Sequence, residues 1–139
     1  MTDLNQTYSM LRGIQMFADF SDDECNRLLE VMRPRDIASG DRVFEQGATG
    51  DTLVVVMDGI LRVEVADQTG ASATVATVQS GEVVGEMAVL DAAPRSASVV
   101  AATDCRLLEL SREGLTRLRK SCPSASAAIV GTVITDVTR

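Results

Sequence analysis

Two residue types are missing altogether: the 139-residue chain has no histidine and no tryptophan. Without histidine, a Ser-His-Asp triad, a Cys-His dyad and a histidine-built zinc site are excluded, and the commonest catalytic base is gone. Aromatic residues make up only 3% of the chain, so its core has to be built from Val, Leu, Ile, Ala and Met. The cysteines are few and odd in number, Cys25, Cys105 and Cys122, with no CxxC spacing. They read as reduced thiols in a cytoplasmic setting, not as a disulfide framework. Lys120 is the single lysine, and the remaining twelve of the 13 basic residues are scattered arginines against a net charge of −7. An acidic chain without a basic stripe is a poor partner for nucleic acid, so no DNA binding is expected. No run approaches the ~20 apolar residues of a membrane span. The polar first residues do not form a secretory signal, which fits the same cytoplasmic expectation.

What is present divides into three stretches. Residues 1–33 read as helical. In "SDDECNRLLEVM", Ser21 and Glu24 form a capping box, and Cys25, Leu28, Leu29 and Met32 follow as one apolar stripe that Pro34 ends. A looser helix is expected over Leu4 to Met16. Residues 34–110 change period: glycines punctuate short β-branched runs, "RVFEQ", "TLVVVM", "ILRVEV", "ATVATV", "ASVVAA" and "CRLLEL". Such spacing predicts an antiparallel sandwich or β-roll, not βαβ units. In residues 111–139 the helical period returns. Ser111 caps "REGLTRLRK" with Leu115 and Leu118 inward, and Pro123 opens a last helix. Val130, Val133, Ile134 and Val137 form its predicted stripe, with Ile129 off it. A helix so rich in β-branched residues is weak alone and needs a packing partner. One domain over 1–139 is expected, mainly β with flanking helices.

The chemistry concentrates in "GEMAVLDAAPRSASV", Gly85 to Val99, where the Glu86 carboxylate follows a glycine and the Arg95 guanidinium follows a proline in a loop that is otherwise small and apolar except for Asp91. Taken singly, Arg95 reads as a surface residue beside Pro94, and Gly85-Glu86 as a turn. Taken together they describe a ligand. One helical turn after Gly85 directs unpaired N–H groups outward. Arg95 offers a planar fork that matches two phosphate oxygens. Ser96 adds a hydroxyl, and Ala97 a backbone N–H with no bulk in the way. Glu86 would repel a phosphate and so has to face a donor, such as a sugar hydroxyl.

These residues resemble the phosphate-binding cassette of cyclic nucleotide-binding domains. "FADFSDDECNRLLEVM" is similar to that family's N-terminal helices, and "GDRVFEQGATGDTLVVVMDGILRVEV" to its glycine-marked strands. The resemblance implies a jelly-roll-like β-roll (a double-stranded β-helix) holding a short cassette helix within residues 85–97. It implies that Glu86 accepts the ribose 2′-hydroxyl and that Arg95 pairs with the cyclic phosphate. Gly85 and the turn through Met87 and Ala88 would offer N–H groups, and Ser96 and Ala97 would complete the cradle. Val75, Val83 and Val84 are the expected apolar neighbours of the base.

The implied function is non-enzymatic: a sensor of cyclic AMP or cyclic GMP, without metal or other cofactor, that signals by moving its C-terminal helix toward a second copy or an effector. A departure from the pattern is that the sequence stops at Arg139, where members of the family often carry a longer helix. No helix-turn-helix is expected within these 139 residues. The alternative is a degenerate β-roll kept for protein interaction or dimerisation without nucleotide. A cupin-type enzyme would normally need the histidines that this chain lacks.

Overall fold

The computed structural model describes residues 4–91 and 93–137. Helix α1 (Leu4–Arg12) leads through a 3-10 turn at Gln15–Phe17 to α2 (Asp22–Val31). The single helix expected to run to Met16 therefore breaks early. Gly13 ends it, its N–H donating to the Ser9 and Met10 carbonyls at 3.1 and 3.2 Å. The chain then turns so that Met16 and Phe17 enter the core. At α2 the capping box forms as the spacing predicts: Ser21 Oγ accepts from the Glu24 N–H, and the Glu24 carboxylate accepts from the Ser21 N–H.

The β region begins with β1 (Arg33–Ile37) and β2 (Arg42–Phe44), then β3 (Thr49–Gly50), β4 (Thr52–Asp58), β5 (Ile60–Ala66) and β6 (Ser72–Gln79). It ends with β7 (Val83–Val84), β8 (Ala93–Pro94), β9 (Ser98–Ala101) and β10 (Cys105–Ser111). Every pairing is antiparallel. One sheet has the order β1-β10-β4-β7 and the other β2-β9-β5-β6, with β3 and β8 as a small separate ladder. The architecture is the antiparallel β-roll expected, open at its edges and flanked by helices. Strand β1 has no apolar pattern in sequence. It is an edge strand whose Pro34 lies opposite Leu108, a position where a missing N–H is tolerated.

The run "TLVVVM" lacks alternation because β4 is buried on both faces. Leu53, Val55 and Met57 face the helices, whereas Val54 and Val56 face the interior of the roll. Strand β10 divides in the same way, with Leu108 and Leu110 toward the helices and Cys105 and Leu107 toward the roll. The β4–β10 sheet is thus a shared wall between a helical layer and the second sheet.

Helices α3 (Arg112–Ser121) and α4 (Pro123–Val137) complete the helical layer. Ser111 Oγ caps α3 through the Gly114 N–H at 2.9 Å, and Leu115 and Leu118 are buried as expected. The face of α4 differs from the predicted stripe. Ala125, Ile129 and Val133 are fully buried, whereas Ile134 is 50% exposed and Val130 is only partly covered. The Val137 side chain lies outside what is described. Ala125, Ile129 and Val133 recur four residues apart, so they share the face that enters the core. Of the predicted stripe Val133 is buried, but Ile134 is exposed and Ile129, placed off the stripe, lies inside.

Candidate functional site

The cassette loop is built by backbone constraints around Glu86 and Arg95. Gly85 sits in the left-handed region, with φ 79° and ψ 18°, and caps the 3-10 turn Glu86–Val89. No β-carbon fits there. It would lie 2.7 Å from Phe44 Cε2 and 2.8 Å from Arg95 Nη1. The Ala88 N–H returns to the Gly85 carbonyl at 3.2 Å, so the Glu86 and Met87 N–H groups stand at the open start of the turn. After β8, the main chain of Arg95 is clasped twice. Its N–H donates to the Ala48 carbonyl and its carbonyl accepts from the Gly47 N–H, each at 2.8 Å. Ser98 Oγ then accepts from the Gln46 N–H at 2.9 Å, anchoring the start of β9.

The Arg95 side chain folds back over the loop. Nη2 donates to the Thr52 carbonyl at 2.8 Å and to its hydroxyl at 3.2 Å. Nη1 makes a longer contact to the Gly85 carbonyl at 3.4 Å. The guanidinium carbon lies 3.6 Å from the centroid of the Phe44 ring. Close passage beside β3 also requires glycine, since a β-carbon at Gly50 would lie 2.4 Å from Arg95 Nε. Burial lowers the pKa of this guanidinium, and the nearby Asp51 carboxylate pushes it back up. The group remains a cation at any physiological pH.

The nine-residue separation of Glu86 and Arg95 closes into a single cavity of about 270 Å³. Glu86 and Arg95 both line it, together with Gly85, Met87, Ser96 and Ala97. No described residue donates a hydrogen bond to the Glu86 carboxylate. The apolar part of the wall comes from Phe44, Val63, Val84 and Val99.

Three residues expected at the site lie elsewhere. Ala88 is buried beneath the turn, where its carbonyl accepts from Arg112 Nη2 at 3.2 Å, a tie to the start of α3. Val83 packs toward the helices and lines a groove with Ile14, Met16 and Thr132 on the far side of Glu86. Val75 is 60% exposed and outside the cavity lining. A bulge displaces it: Thr74 pairs with Glu64 and Ala76 with Val63, leaving Val75 as the extra residue. Phe44, Val63 and Val99 are the wall residues that sequence reasoning missed. Phe44 carried a signal, as the only aromatic residue after the N-terminal helices.

Comparison with known proteins agrees with this geometry. Residues 34–122 match the family model described as "Cyclic nucleotide-binding domain". The cyclic AMP receptor protein of Thermus thermophilus is 34% identical over 113 residues, which is 81% of this chain and 52% of that protein. In structure, the chain is similar to the N-terminal domain of a transcriptional regulator from Streptomyces coelicolor A3(2). That match has a TM-score of 0.84 at 29% identity and covers 93% of this chain and 90% of the other. It is also similar to the regulatory domain of Toxoplasma gondii PKA crystallised with cAMP. There the TM-score is 0.73 at 27% identity, over 84% of this chain and 45% of the other. The chain spans about half the length, or less, of the curated relatives it matches.

Proposed function

The chain belongs to the cyclic nucleotide-binding domain family, and from that premise we propose that it is a regulatory domain that senses cyclic AMP through the cassette cavity. The observation that carries this reading is the convergence of Arg95 and Glu86 on one cavity from positions nine residues apart. A guanidinium fork suits the cyclic phosphate, and a carboxylate without a described donor suits a ribose hydroxyl. Gly85, the Glu86 and Met87 N–H groups, Ser96 and Ala97 supply the rest of the phosphate cradle. Val84 and Val63 offer apolar surface to the base, and they replace Val75 and Val83 in that role.

The domain acts by binding and not by catalysis, in the cytoplasm, as one unit over residues 1–139. No helix among the described residues is long and apolar enough to cross a membrane. The signal leaves through the helices. Glu86 lines both the ligand cavity and the groove that contains Thr132 of α4, so a ligand held by Glu86 acts on a ridge shared with that helix. Contacts made in only one arrangement of cassette and helix would couple binding to the position of α4, and through it to a second copy or an effector.

Titration calorimetry tests this directly. Cyclic AMP is expected to bind the native chain more tightly than cyclic GMP. Arg95→Ala should weaken binding at least about thirtyfold, since losing one member of a buried charge pair costs about 2–5 kcal/mol. Hydrogen exchange on the same samples should change at the amides of residues 127–133 as well as in the cassette. Native-like affinity in Arg95→Ala would sink the phosphate assignment. Exchange changes confined to the cassette would remove α4 from the signal.

A further inference from the structure

We propose that Phe44 is the positioning residue for Arg95: its ring holds the guanidinium face-on in the cavity wall, so that the cation meets an incoming phosphate already ordered. The inference rests on the reading of Arg95 as the phosphate ligand and adds what keeps that ligand in place.

A guanidinium has two kinds of surface. Its edges carry five N–H donors, whereas its faces carry none and are weakly hydrated. An aromatic ring can therefore cover a face without removing a hydrogen bond, and the quadrupole of the ring attracts the charge. Arg95 is held in this way. The ring covers one face at 3.6 Å, and Thr52 takes the Nη2 edge with two acceptors. The Nη1 edge has only the 3.4 Å contact to the Gly85 carbonyl, so it remains open to a stronger acceptor. A phosphate can engage an edge without breaking the stack.

The surroundings are shaped for this pairing. In β2, Arg42 pairs with Val100 and Phe44 with Val99, so Val43 is the extra residue of a bulge. The bulge allows the neighbours Val43 and Phe44 both to pack against the interior of the roll, which strict alternation would forbid. Phe44 is thereby aimed at Arg95. Glycine on either side leaves the space: a β-carbon at Gly50 would strike the guanidinium, and one at Gly85 would strike both the ring and Nη1. A free arginine side chain loses considerable rotamer freedom when a ligand immobilises it, and a prior stack removes part of that cost.

The test is a double-mutant cycle on cyclic AMP binding, using native protein, Phe44→Leu, Arg95→Lys and the double variant. Leucine keeps apolar bulk and removes the ring. Phe44→Leu is expected to weaken binding about threefold to thirtyfold in the native background. In the Arg95→Lys background the same change should shift affinity by less than about twofold, because no guanidinium is left to position. Phe44→Tyr should bind like the native protein. The ligand-free native protein gives a second readout that needs no variant. The Arg95 Nε–Hε resonance should carry an upfield ring-current shift, which Phe44→Tyr retains. Native affinity in Arg95→Lys would overturn the phosphate reading itself. An equal loss in both backgrounds would overturn the positioning role while leaving that reading intact. An unshifted native resonance would overturn the stack, whether or not Phe44→Leu folds.

Discussion

The cassette loop, residues 85–97, and the last helix, α4, look alike in composition: both are short and rich in small and apolar residues. They differ in what fixes them. The surroundings of Arg95 are held by directional contacts, from the left-handed Gly85 to the paired clasps on the Arg95 main chain. Helix α4 is set mainly by volume, with Ala125, Ile129 and Val133 filling space against Leu11, Phe17 and Leu118. Directional chemistry tolerates few residues at each position, so the sequence announces it. Filling space tolerates many, so the sequence leaves the orientation of the helix ambiguous.

The sharpest way to break this comparison is at Ile129. Ile129→Ala should destabilise the domain by about 2–5 kcal/mol, the usual cost of truncating a fully buried aliphatic side chain. Ile134→Ala, on the exposed face, should stay within about 0.5 kcal/mol. Urea unfolding measures both, and a reversed order would restore the stripe that the sequence suggested.

A smaller effect, and one that separates binding from stability, is expected at Gly85. Alanine there has to adopt φ near 79° and displace both Phe44 and Arg95. Gly85→Ala should cost about 1–3 kcal/mol in stability and at least about tenfold in affinity for cyclic AMP. A stable variant with native affinity would mean that the loop does not depend on its backbone geometry.

The smallest effect concerns a directional contact at the start of α4. Ser124 Oγ donates to the Glu24 carboxylate at 2.8 Å, which links the first turn of α4 to the cap of α2. The Glu24 pKa is lowered, first by the Ser21 N–H and then by the Ser124 hydroxyl. A carboxylate depressed in the folded state adds stability above its ordinary pKa, about 4.5, and loses it as the pH falls through the depressed value. Thermal melts from neutral pH down through that range should show an acid limb that is shallower in Glu24→Gln. An unchanged limb in that variant would assign the loss to other carboxylates.

The same contrast explains what could be read in advance. The capping box at Ser21, the strand runs of β4, β5, β6 and β10, and the Glu86–Arg95 pair were legible because each rests on local spacing. Strand β1 was not. Its charges pair across the sheet edge, where Arg35 meets Glu109 at 2.7 Å and Arg106 meets Asp36 at 3.2 Å. Those partners lie about 70 residues away, beyond any window of periodicity. Val75 was misplaced for a related reason. A bulge inserts one residue into a strand and reverses the side on which the following residues fall, and nothing in "ATVATV" marks where it occurs. Phe44 was overlooked because a lone phenylalanine in a strand suggests core packing before it suggests a cation.

The three thiols have a use that their burial creates. Cys25 lies in α2, Cys105 opens β10 and Cys122 joins α3 to α4, and all three are free and covered. Burial also raises the pKa of the Cys25 thiol, with the nearby Arg12 opposing it. A thiol reagent can then reach each one only when its own neighbourhood opens. The chain thus carries three native clocks, placed in α2, in the shared sheet and at the junction of α3 and α4. Their separate alkylation rates, with and without nucleotide, time the loosening of each region without the addition of any label.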